Sequence, residues 1–245
     1  MDNDTKILDA YSKALASTSL EIGAIKLRPE DPFQWASGYR MPIYNDNRML
    51  LGNYEHRKLV KDIFSKIISS DHFMSTADII AGTSTAGIPP ATTLADALHK
   101  PLIYIREKPK DHGLKNQIEG ISDNSDLEGK TVILIEDLIS TGGSSVKAVQ
   151  AIRNAKGDID TCLSIFNYGF KKAADMFAGT APYNDTGEKL TQPCEVISAV
   201  PFEILLQAIK ETKYLNNKNI ELIEDWYADP FNWGAKHGFP KVEKK

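Results

Sequence analysis

The chain has 245 residues, 42% of them hydrophobic and 25% charged, with a net charge of −4. That is long enough for one sizeable α/β domain with appendages, and the acidic balance argues against a general nucleic-acid binder, which carries a basic face. Only two cysteines, Cys162 and Cys194, rule out a disulfide framework, and no apolar run approaches the ~20 residues of a membrane span.

The start, Met1-Asp-Asn-Asp-Thr5, is acidic and lacks the apolar run of a signal peptide, so a reducing cytoplasm is the expected compartment. Residues 5–22 predict an amphipathic helix, with Ile7, Leu8, Tyr11, Leu15 and Leu20 on one side. Residues 25–48 carry three prolines, a Ser37-Gly38 turn and four aromatics, a mixture that suits neither a plain helix nor a central strand. Short strands and turns forming a cap over the main sheet are expected there. A long helix over 50–70 follows, with Leu51, Tyr54, Val60, Ile63, Phe64 and Ile67 at core spacing.

Residues 77–90 predict a strand, a small hydroxylated loop over 82–87, and a helix over 91–98. A strand over 101–105 leads into a charged segment, 106–117. Farther on, 161–166 and 195–200 are strand-like, whereas 171–177 and 201–214 are helical, the latter with proline at its start. The tail over 220–239 predicts a helix and then an aromatic, Gly/Pro-containing segment, whose Trp226, Tyr227, Phe231 and Trp233 suit packing better than chemistry. Repeated strand-then-helix units imply a doubly wound parallel sheet, with ligands beyond the C-terminal ends of its strands.

The most informative stretch is 131–153. Val132 to Ile135 is an unbroken apolar run, as in a strand buried on both faces. Two carboxylates, Glu136 and Asp137, come next, followed by Leu138, Ile139 and the turn Ser140-Thr141-Gly142-Gly143-Ser144. A helix then begins, with Val146, Val149 and Ile152 on one face. Backbone N–H groups of such a loop converge with the positive helix N-terminus on one anion site, and glycine lets the backbone approach closely. Carboxylates repel bare phosphate, so the acidic pair must meet another part of the ligand. Two adjacent acceptors suit the cis hydroxyls of a ribose, which makes a sugar phosphate the expected ligand. The bland alternative is an ordinary βα turn with a serine N-cap. No Gly-Lys-Ser/Thr follows the turn and no Gly-x-Gly-x-x-Gly exists in the chain, which removes the Walker A and Rossmann readings.

Arg106, Lys108, Lys110, His112 and Lys115 make the charged segment locally basic, against only Glu107 and Asp111. Pro109 and Gly113 discourage helix, so an exposed arm able to close over an anionic leaving group is expected.

Apolar strand, twin acids, two apolar residues and a Ser/Thr-Gly turn together resemble the phosphoribosyl-pyrophosphate motif of type I phosphoribosyltransferases. Three further stretches resemble the orotate phosphoribosyltransferase branch: Pro32-Phe-Gln-Trp-Ala-Ser-Gly-Tyr-Arg-Met-Pro-Ile-Tyr-Asn-Asp-Asn-Arg48, Gly82-Thr-Ser-Thr-Ala-Gly-Ile-Pro89 and Lys110-Asp-His-Gly113. The resemblance implies a mostly parallel five-stranded core sheet with flanking helices and an N-terminal hood. It implies an N-terminal helix and hood over 1–48 completed by part of the C-terminal region, a transferase core over 49–213, and a helical extension over 214–245. It implies transfer of ribose 5-phosphate to orotate, with Mg²⁺ held through the donor and water rather than by protein ligands, in a homodimer whose basic arm acts across the interface. Neither nucleic acid nor membrane is an expected partner.

By position, Arg106, Lys110, His112 and Asp137 are the implied catalytic residues. Donor binding is implied for Arg106, Lys108, Lys110, His112, Glu136, Asp137, Leu138, Ile139, Ser140, Thr141, Gly142, Gly143 and Ser144, and orotate binding for Ser140 and Tyr44. Ala36 and Ala86 stand where some family members have lysine, and 165–169 lacks an arginine that some use near orotate. A purine-type transferase and a non-catalytic sensor of the same donor are the alternatives.

Overall fold

The computed structural model describes residues 3–108, 117–121, 126–179 and 192–243. The chain opens with α1 (Asn3–Glu21), whose Leu15, Ala16 and Leu20 are buried. Four short strands follow: β1 (Ile25–Leu27), β2 (Phe33–Gln34), β3 (Arg40–Met41) and β4 (Ile43–Asn45). They pair antiparallel as β1–β4 and β2–β3, giving the expected hood. Its tip turns at Gly38, which has a φ of +85°, and a Cβ there would collide with the carbonyl oxygen of Val242. The Val242 N–H donates to the Gly38 carbonyl at 2.9 Å, so the C-terminal tail is fastened to the hood.

A 3₁₀ segment (Asn47–Gly52) precedes α2 (Tyr54–Ser70) and the short α3 (His72–Ser75). The helix expected from 50 therefore starts at Tyr54, because Asn53 is extended and caps it, accepting from the Glu55 N–H. Next come β5 (Ile79–Thr83), α4 (Ile88–Leu98), β6 (Leu102–Ile105), β7 (Ile118–Glu119), β8 (Thr131–Ile139), α5 (Gly143–Asn154), β9 (Asp158–Asn167), α6 (Lys171–Phe177), β10 (Glu195–Pro201), α7 (Phe202–Thr212), α8 (Asn217–Ala228) and α9 (Pro230–Lys236). The tail thus holds two helices, and what reads as an irregular aromatic segment becomes α9, with Pro230 in its first turn.

The central sheet has the order β10-β9-β8-β5-β6-β7. Its first five strands run parallel, and the two-residue β7 is antiparallel to β6. The longest inner strands are β8 and β9, and alternation sorts β8 between two cores. Ile133 and Ile135 face α1, α2, α4 and α7, whereas Val132 and Leu134 face α5 and α6. Pairing of β8 with β9 continues past the acids, through Glu136 opposite Ser164 and Leu138 opposite Phe166. The acidic pair therefore lies within the strand rather than after it.

Candidate active site

Being neighbours in a strand sends the two carboxylates different ways. Glu136 is only 6% exposed. Its Oε1 accepts from the Thr83 hydroxyl at 2.6 Å and the Asp137 N–H at 3.1 Å, and its Oε2 accepts from the Ser145 hydroxyl at 2.8 Å. Asp137 is half-buried and borders a slot of about 20 Å³, room for a single water, beside Asn47, Arg48 and Ala86. Acceptors adjacent in sequence are thus not a matched pair on one surface. One is tied into the fold and the other lies at its edge.

Burial raises both acids, and pushes Glu136 up from 4.5 to about 7, with the neighbouring Asp137 charge adding to the shift. An unfolded chain gives up the Glu136 proton near 4.5, and the fold keeps it until about 7. On this group's account stability is fullest below 4.5 and is lost as pH rises through 7. Replacing Glu136 by glutamine should flatten that slope. Melting temperatures of both proteins at pH 5 and pH 8 check it, and an equal fall in both would refute the assignment.

The turn at 140–144, where a cradle is expected, lies where β8 meets α5. Gly142 occupies the N-cap position with a φ of 83°, and no side chain caps the helix. The serine-capped turn is therefore not what forms, and the first N–H groups of a twelve-residue helix stay open to an anion. A Cβ on Gly143 would meet nothing within 4 Å, so that side of the loop faces open space.

Between hood and sheet lies a cleft of about 800 Å³. The hood supplies Trp35, Ala36, Ser37, Tyr39, Tyr44 and Asn45, and the sheet side supplies Leu138, Ser140, Thr141 and Tyr168. Lys172 and Phe231 complete the wall. Tyr44, 40% exposed, leans on Phe33 with ring centroids 5.6 Å apart. Tyr168 forms the floor, stacked on Phe170 at 5.1 Å and tilted against Trp35 at 5.3 Å, and burial drives its hydroxyl far above the ordinary tyrosine range.

Arg106 and Gln117, which flank residues 109–116, are clasped together. The Arg106 N–H donates to the Gln117 carbonyl at 2.8 Å, and the Gln117 side-chain amide returns a bond to the Arg106 carbonyl at 3.1 Å. The Arg106 guanidinium meets Glu119 at 3.5 Å, and Lys108 is exposed. Lys110, His112 and Lys115 lie outside the described residues. Of the expected set, the structure gathers Tyr44, Leu138, Ser140 and Thr141 in one cleft and leaves Arg106 to one side.

Several residues at the site are not singled out by sequence reasoning. Buried Asn47 donates to the Asp137 carbonyl at 2.6 Å and so fixes the acidic strand end. Arg48 grips Asp46 through two bonds of 2.6 and 2.8 Å and holds that carboxyl below its usual range. Both belong to the 32–48 stretch, where proximity to the acids is invisible. Tyr168 and Lys172 follow β9, and their only sequence signal is their place after a strand. Among the described residues no group of three or more His, Cys, Asp or Glu side chains gathers to hold a metal, and no helix is long and apolar enough to cross a membrane.

Residues 49–176 match the phosphoribosyl transferase domain family. The orotate phosphoribosyltransferase of Cytophaga hutchinsonii is 37% identical over 223 residues, covering 91% of this chain and 98% of that protein. That of Listeria monocytogenes is 38% identical over 227 residues, covering 92% and 99%. The crystal structure of orotate phosphoribosyltransferase from Aeropyrum pernix superposes with a TM-score of 0.62 at 25% identity, covering 82% of this chain and 99% of that one.

Proposed function

The chain belongs to the orotate phosphoribosyltransferases, enzymes of pyrimidine biosynthesis, and from that premise we propose how its residues share the transfer of ribose 5-phosphate from phosphoribosyl pyrophosphate to orotate. The products are orotidine 5′-phosphate and pyrophosphate. No covalent nucleophile is needed, because the anionic N1 of orotate attacks the anomeric carbon as pyrophosphate departs. The protein's work is positioning and charge stabilisation.

The observation that best supports this division of labour is the uncapped glycine start of α5, opening beside the hood cleft. Ser140, Thr141, Gly142, Gly143 and Ser144 take the 5′-phosphate, with Leu138 and Ile139 carrying the chain into the cradle. Asp137 takes a ribose hydroxyl at the edge of the strand. Glu136 already accepts from two hydroxyls, Thr83 and Ser145, which is the bonding a ribose diol offers, so it reaches the sugar by exchanging like for like. Tyr44 stacks on the pyrimidine beside Ser140. Arg106, Lys108, Lys110 and His112 neutralise the charge growing on pyrophosphate.

Mg²⁺ is the cofactor this reading implies. It would be held through the donor's own oxygens and water rather than by protein ligands, and the half-buried Asp137 carboxylate at the strand edge suits such a hydrated hard cation. When bound it offsets diphosphate charge. A cytoplasmic homodimer in which the arm of one subunit closes over the cradle of the other completes the proposal. Loss of orotate absorbance in the presence of the donor and Mg²⁺ tests the reaction, with adenine, hypoxanthine and uracil in parallel. Turnover of a purine in preference to orotate would overturn it.

A further inference from the structure

We infer that Lys172 is the residue that pairs with the carboxylate of the base, and so sets the preference for a carboxylated pyrimidine. The inference rests on the proposed placement of orotate in the hood cleft. Among the described residues lining that cleft Lys172 carries the only cationic side chain, and no carboxylate lines it. The two lysines that open α6 differ sharply. Lys171 bonds both oxygens of Asp175, at 2.8 and 2.6 Å, on the outer side of the helix. Lys172 has neither an ion pair nor a hydrogen bond with any described residue.

Its position gains nothing locally either, since the first turn of a helix favours acids over cations. Nearby cations are committed elsewhere. Arg48 is locked onto Asp46, and Lys241 lies over the Tyr39 ring at 4.5 Å. The walls are aromatic, with Trp35, Tyr39, Tyr168 and Phe231 among them. A carboxylate entering such surroundings loses water and needs one charged partner in return. A base lacking the carboxylate gains nothing from Lys172, so the residue acts on selectivity rather than on the donor.

Orotidine 5′-phosphate and uridine 5′-phosphate differ only in that carboxylate, so titration calorimetry with both nucleotides isolates it. Lys172→Met should weaken orotidine 5′-phosphate by roughly 10- to 100-fold, the worth of a charged hydrogen bond, and leave uridine 5′-phosphate unchanged. Lys172→Arg should keep most of the discrimination. A Lys172→Met protein with the wild-type ratio of affinities, or with both nucleotides weakened alike, would overturn the inference. A wild type that binds the two equally would overturn it together with the substrate assignment. A wild type that converts orotate while the variant keeps its ratio would sink the Lys172 role alone.

Discussion

Trp226→Ala is expected to lower the unfolding free energy by roughly 3–5 kcal/mol, as large buried aromatics do when truncated. Trp226 is wholly buried, although it lies in helix α8 near the C-terminus, far in sequence from the hood and the cleft floor that it touches. Its ring meets Tyr168 and Phe170 edge-on at 5.9 and 5.8 Å and Phe202 at 5.6 Å. Its indole N–H points at the sulfur of Met41 in the hood, 3.1 Å away. One side chain therefore joins the extension, the cleft floor, the start of α7 and the hood. Urea unfolding followed by fluorescence or circular dichroism gives the measurement, and a drop in melting temperature on the order of 10 °C should accompany it. A loss below about 1 kcal/mol would show that the extension is only laid on the core. Because Tyr168 lines the cleft, the same variant should weaken the base more than the donor.

Lys110→Ala is expected to slow turnover by a factor of roughly 10² or more, as removing a donor that stabilises developing charge does. Single-turnover rates with saturating substrates check it, and an unchanged rate would mean that the arm is not catalytic. Mixing subunits tests where the arm works. If it closes over the neighbouring cradle, a heterodimer of Lys110→Ala and Asp137→Asn subunits recovers one intact site, because one subunit keeps its cradle and the other its arm. If the arm serves its own subunit, neither site is intact and mixing restores nothing.

Local order decides how much of this can be read in one dimension. The strand-turn-helix passage over 131–153 is legible because its parts are consecutive: an apolar strand, two acids, a glycine turn and a helix, each with its own residue preferences. The hood is legible as irregular from its prolines and turn residues, and the aromatic tail as packing from its composition. The lengths of β8 and β9 are not, since charged or polar residues at a strand end look like a loop until the partner strand is seen to continue. The two-residue β7 has no period to detect, and α9 is hidden by its own proline and glycine.

By itself, the sequence determined the fold class, the strand-turn-helix order over 131–153 and the clustering of cations over 106–115, because strand burial, glycine turns and clustered charge are written in adjacent residues. The tertiary structure alone decided which way the acids face, turning Glu136 onto Thr83 and Ser145 while Asp137 stays at the edge, since a strand sends neighbours to opposite sides. It alone set Lys172 in the cleft with no counter-ion among the described residues and anchored the hood through Trp226. Those juxtapositions join elements separated by tens to hundreds of residues, and only packing brings them within reach of one another.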